Sequence, residues 1–160
     1  MTNIEKNLND DNRPVFAISV AAEMIGVSVH TLRAYETSGL ILPQRTETHR
    51  RLYYSNDIER LRFIRMMIEE RGLNIAGIKI LLSLIPCWDL VGCSEKDREN
   101  CDAFTNMKEP CWIVKNTGDI CKDEDCRLCP IYSNLSPFSD MKNFLKNHNL
   151  EQYNKTEKGL

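Results

Sequence analysis

Seven cysteines raise the first chemical question in this 160-residue chain. Cys87, Cys93, Cys101, Cys111, Cys121, Cys126 and Cys129 all fall between positions 87 and 129, and none occurs in the first 86 residues. Thiolates bind zinc in tetrahedral sets of four, or hold iron–sulfur clusters. The alternatives are redox-active thiols and inert buried thiols that act as small hydrophobes. An odd count leaves one thiol over in any full disulfide scheme. Asp123, Glu124 and Asp125 stand beside the last three cysteines. Acidic neighbours disfavour free thiolates unless a cation compensates, which argues for a bound metal.

The spacing narrows the chemistry. Zinc sites usually come as two close pairs, and one close pair is present here, Cys126 and Cys129. The run Cys121-x4-Cys126-x2-Cys129 matches the plant-type ferredoxin loop, with Cys111 or Cys101 as the distant fourth ligand. Pro130 follows Cys129, as in bacterial cluster loops. All seven cysteines are taken as candidate ligands, and an iron–sulfur cluster is favoured over zinc. Pro-Cys-Trp occurs twice, at 86–88 and 110–112. It reads as the start of two half-modules, each with a ligand cysteine and a tryptophan that shields it.

What must position these thiols begins upstream. "ISVAAEMIGVSVHTLRAYETSGLI" reads as two short helices around a tight turn. Ser19 caps the first, which turns Val20, Ala21, Met24 and Ile25 inward, and Gly26 closes it. Ser28 caps the second, with Val29 and Leu32 inward and Gly39 as the stop. That order is a helix-turn-helix. Two β-type ends, "LIL" and "RLYY", then flank a basic loop with Arg45, His49, Arg50 and Arg51, a plausible wing. Asn56 and Glu59 form a capping box for a helix carrying Ile58, Leu61, Ile64 and Ile68. Asn74 caps another, with Ile75, Ile78, Leu82 and Ile85 on one face, and Pro86 ends it. Arg60, Arg62 and Arg65 read as a solvated face.

Together "ISVAAEMIGVSVHTLRAYETSGLI" and "RRLYYSNDIERLRFIRMMIEERGLNIAGIKILL" resemble the MerR family of bacterial transcription regulators over about residues 15–85. "TLRAYE", "RLY" and "DIERLRFI" are the distinctive pieces. The resemblance implies a winged helix-turn-helix with the second helix in the major groove of double-stranded promoter DNA. His30, Thr31 and Arg33 would meet base edges or nearby phosphates, and arginine's fork matches guanine. By the same resemblance Tyr35 contacts phosphate, and Arg50, Arg51 and Tyr53 clamp the backbone. Plainer readings stand beside these: core packing for Tyr35, a solvated pair for Arg50 and Arg51, and wing packing for Tyr53. The resemblance also implies a homodimer, with RNA polymerase as a further partner at the promoter. Family members of this type usually continue into a long dimerisation helix, and no sustained heptad follows Pro86.

Four segments result: a disordered lead-in over 1–13, a DNA-binding unit over 14–85, a cysteine-rich module over 86–135, and a short C-terminal helix and tail over 136–160. That last helix would present Met141, Phe144, Leu145 and His148 along one side. The fold class is mainly α, a winged helix-turn-helix followed by a small irregular module. Residues 15–85 hold nine Lys/Arg against seven Asp/Glu, while 86–160 hold ten against thirteen, so a mildly basic front precedes an acidic back. No apolar run is long enough for a membrane helix, and no signal peptide is evident, so a cytoplasmic protein is expected. His30, His49 and His148 have no partner pattern for catalysis, so no enzyme is expected. The expected function is regulation of transcription through a metal or redox sensor. The alternatives are a constitutive repressor with a zinc scaffold for protein partners, or an electron-transfer accessory protein.

Overall fold

A computed structural model describes residues 15–106 and 108–133. The expected C-terminal helix, with Met141 and His148, and the lead-in lie outside the described residues.

The chain opens with β1 (Phe16–Ala17) and passes directly into α1 (Ile18–Ile25). Ser19 is therefore not the cap. Ala17 holds that position without a side-chain hydrogen bond, because strand pairing to Leu52 delivers the chain already extended. Ala21, Ala22 and Ile25 are buried, whereas Val20 and Met24 face outward. Gly26 ends α1 at φ 68°, a left-handed conformation that favours glycine. Helix α2 (Val29–Thr37) starts at Ser28, whose Oγ accepts from the Thr31 backbone N–H at 3.0 Å.

The wing is shorter than expected. Its strands are β2 (Gln44–Arg45) and β3 (Arg51–Tyr53), and β3 lies between β1 and β2 in an antiparallel sheet. Leu40 and Ile41 are not strand residues; both are fully buried in the core. Helix α3 (Ser55–Glu69) is capped at Tyr54, two residues before the expected Asn56, with the Asp57 carboxylate accepting from the Tyr54 N–H at 2.9 Å. Ile58, Leu61 and Ile64 form its inner stripe. Helix α4 (Ile75–Ser83) is capped by Asn74, which accepts from the Gly77 N–H at 2.8 Å.

After Pro86 the chain breaks into short pieces: α5 (Cys87–Leu90), α6 (Glu95–Glu99), α7 (Asp102–Thr105), a single 3-10 turn (Asp119–Cys121) and α8 (Pro130–Ser133). These pieces pack back onto the helix-turn-helix unit. Trp112, Ile131 and Tyr132 are buried in the same apolar core as Leu32, Leu40, Ile58 and Ile64.

Polar ties cross that junction. Trp112 Nε1–H donates to the Gly39 carbonyl at 2.9 Å, the Leu42 N–H donates to Tyr132 Oη at 2.7 Å, and Lys79 pairs with Glu109 at 2.5 Å. Gly39, at φ 77°, sits at the tightest point, where an added Cβ would lie 2.6 Å from Ile113 Cδ1.

Candidate nucleic-acid interface and cysteine cavity

The surface of α2 leaves polar side chains open to solvent. His30 and Arg33 are exposed, and Thr31, half-buried, shares a 2.8 Å hydrogen bond with Ser28 Oγ. In the wing, Arg45 and Arg50 are exposed, next to a turn in which His49 takes φ 58°.

Three residues expected to contact the DNA backbone point elsewhere. Tyr35 is 5% exposed and belongs to the core; burial first, then Glu69, pushes its hydroxyl above the usual value. Tyr53 is fully buried and its hydroxyl donates to Glu36. Burial and that bond both raise the Tyr53 phenol. Arg51 is half-buried, its Nε–H 2.5 Å from Glu36 Oε2. Glu36 of α2 therefore holds both wing residues, which fixes the wing against the second helix. This is the packing alternative for Tyr53. It leaves Arg33, His30 and Arg50 as the expected contact residues with free polar surface.

The seven cysteines converge. Cys87, Cys93, Cys101, Cys111, Cys121, Cys126 and Cys129, separated by up to 42 positions, all line one cavity of about 340 Å³. All seven are free thiols, half-buried. Trp112, Ile131 and Tyr132 form the wall toward the helix-turn-helix unit, and Glu124 and Asp125 stand at the rim. Cys87 and Cys111, the cysteines of the two Pro-Cys-Trp repeats, are hydrogen-bonded to each other. That bond lowers the Cys87 thiol and raises Cys111. Burial raises Cys93 and Cys126, and pushes Cys121 up to about 11.

The two tryptophans differ. Trp112 lines the cavity, stacked edge-on against Tyr132 at 5.3 Å between ring centres. Trp88 does not line it and packs edge-on against Phe104 at 5.1 Å. The symmetric shielding expected of the repeat therefore fails at Trp88.

No three His, Cys, Asp or Glu side chains among the described residues come together as a site for a single metal ion. A tetrahedral zinc with Zn–S of about 2.3 Å needs its sulfurs about 3.8 Å apart. A two-iron cluster needs only two sulfurs at each iron, so it can be held by two separate cysteine pairs.

The residue that sequence reasoning missed is Arg60. It reads as one of three solvated arginines on α3, but only Arg62 and Arg65 fit, paired with Glu59 and Glu69. Arg60 is 2% exposed. Its guanidinium lies 3.9 Å from the Tyr132 ring centre and 4.9 Å from that of Trp112, and Nη2 donates to the Tyr132 carbonyl. Tyr132 Oη in turn donates to Asp57 at 3.3 Å, and burial raises the Asp57 carboxyl. Nothing in residues 55–69 alone announces this, because the partners arrive from positions 112 and 132.

Comparison with known proteins agrees with the geometry. The model of the MerR HTH family regulatory protein matches residues 16–85. The Heavy metal-dependent transcription regulator 2 of Rhizobium meliloti is 30% identical over 130 residues, covering 74% of this chain and 85% of that protein. The chain belongs to the MerR family.

Other relatives match this MerR-family chain over its first part. The Putative heat shock protein HspR of Streptomyces coelicolor is 42% identical over 74 residues, 46% of this chain and 49% of its own length. The HTH-type transcriptional regulator GlnR of Bacillus cereus is 36% identical over 77 residues, 47% of this chain and 59% of its own length. The chain thus spans only about half the length of these two relatives. The Rhizobium alignment takes in more of this chain than its first 85 residues, so it reaches the cysteine-rich part. A crystal structure of HiNmlR, titled a MerR family regulator lacking the sensor domain and bound to promoter DNA, is 21% identical, covers 89% of this chain and 78% of that one, and gives a TM-score of 0.32.

Proposed function

We propose that this chain is a cytoplasmic DNA-binding transcription regulator whose cysteine cavity holds an iron–sulfur cluster, and that the state of the cluster sets the affinity for promoter DNA. The observation that carries this reading is the convergence of all seven cysteines on one cavity whose lining residues Trp112, Ile131 and Tyr132 are buried in the core shared with the helix-turn-helix unit. A sensor needs its centre in mechanical contact with the reader, and Trp112 and Tyr132 supply that contact. The Rhizobium relative's name, a heavy metal-dependent regulator, supports a metal-linked effector.

The reader would act as a homodimer on a near-palindromic site, with RNA polymerase as a partner at the promoter. Ile80 and Leu84, one turn apart around the end of α4, are 51% and 46% exposed and offer apolar surface for a second copy. Arg33 would read a base edge, while Arg50 would supply phosphate affinity.

The test is selection of bound duplexes from a random-sequence pool by anaerobically purified protein, with iron and acid-labile sulfide measured on the same sample. A brown protein that enriches one near-palindrome is expected. A colourless protein with one zinc per chain would replace the sensor by a scaffold. Failure to enrich any sequence at low salt would remove the regulator reading.

A further inference from the structure

We propose that Cys87, Cys111, Cys126 and Cys129 are the four ligands of the cluster, with Cys87 in place of the Cys121 that the loop spacing suggested, and that Cys93, Cys101 and Cys121 line the cavity without binding it. The inference rests on reading the cavity as an iron–sulfur site. Both common cluster types held by cysteine alone take four thiolates, so three of the seven must stand aside.

The seven are not equivalent in their surroundings. Cys87, Cys111, Cys126 and Cys129 pack against the apolar core, whereas Cys93, Cys101 and Cys121 do not. Packing against a rigid core fixes a ligand's position before the metal arrives. The four also form two pairs. Cys87 and Cys111 already touch through a thiol–thiol hydrogen bond. Cys126 and Cys129 share one turn, closed by the Cys129 N–H on the Cys126 carbonyl at 3.2 Å. That turn leads directly into α8, whose Ile131 and Tyr132 are buried. The other three lie outside those pairs, in the loop after α5, at the start of α7 and in the 3-10 turn.

Arg60 supplies an independent observation. Its Nη1, buried, finds no hydrogen-bond partner among the described residues. Its guanidinium lies against Trp112 and Tyr132, which are cavity walls. Cys111 is the one cysteine among its electrostatic neighbours. A buried cation is costly unless an anion compensates it, and Asp57 is itself pushed toward neutrality by burial. A [2Fe–2S]2+ core takes two thiolates on each iron, which suits two close cysteine pairs, and with four thiolates it is a dianion. Four thiols that take up such a core release four protons to solvent, and no electron moves. Seated on the core-packed cysteines, that dianion lies on the Arg60 side of the cavity.

The experiment uses the full chain with single Cys→Ser and Cys→Ala substitutions at all seven positions, each loaded anaerobically with iron and sulfide and analysed for both. Substitution of Cys87, Cys111, Cys126 or Cys129 is expected to lower cluster content at least tenfold, and substitution of the other three to leave it within twofold of the wild type. Should an inner variant fail to fold, the triple variant Cys93→Ala, Cys101→Ala, Cys121→Ala decides. A full cluster there upholds the assignment; a lost one overturns it. A wild-type chain that takes up no iron and sulfide removes the underlying cluster reading. A wild-type cluster that survives loss of two inner cysteines overturns the ligand set alone.

Discussion

Glu36 organises more of the reader than its position in the sequence suggests. It accepts from both Arg51 and Tyr53, so two wing residues are committed to holding the wing in place. Contact with DNA then falls to side chains whose charge is still exposed. Arg33→Ala is expected to weaken binding to a selected duplex by about 1–3 kcal/mol and to relax preference at one base position. Arg50→Ala is expected to weaken all duplexes alike and to flatten the salt dependence by about one ion. Fluorescence anisotropy across a salt series separates the two. At the other face, Tyr132 Oη serves Leu42 and Asp57 together. Tyr132→Phe strands the part-buried Leu42 N–H and removes one of the hydrogen bonds on the buried Asp57 carboxyl, and a loss of about 1–3 kcal/mol is expected in denaturant unfolding.

The helices of the reader were legible because their signals are local. Ser28, Gly26 and Asn74 stop or start helices through their own backbone and side-chain chemistry, and the structure shows each in that role. The stripe Ile58, Leu61, Ile64 is likewise a local period, and all three are buried. Signals that depend on distant partners were not legible. Ser19 lost its cap role to strand pairing with Leu52, and Arg60 was drawn inward by rings some 50 and 70 positions away. The cysteine positions pointed to one region of the chain, but only the fold shows that four pack on the core and three do not. The joint between the end of α2 and the cysteine-rich segment is the element most exposed to a small change. Gly39→Ala imposes a side chain on a left-handed backbone and drives a Cβ to within 2.6 Å of Ile113. The expected cost is about 1–3 kcal/mol or more, read as a lowered thermal midpoint, with cluster retention falling at the same temperature.

As a whole molecule, the chain places its chemistry within one shared core. The cavity wall, Trp112 and Tyr132, is also the surface on which Arg60 of α3 and the Gly39 and Leu42 backbone rest. A change in charge or volume inside the cavity reaches α2, the wing and α3 through contacts that already exist. A ligand can shift such an equilibrium only by its differential interaction with two states. The charge of the proposed cluster against buried Arg60 would be such an interaction. The most direct measurement is the affinity for one selected duplex, taken anaerobically on the same preparation before and after the cluster is removed by chelation. The account expects at least a tenfold difference in Kd, with helical content by circular dichroism preserved. Equal affinities for loaded and stripped protein would contradict it.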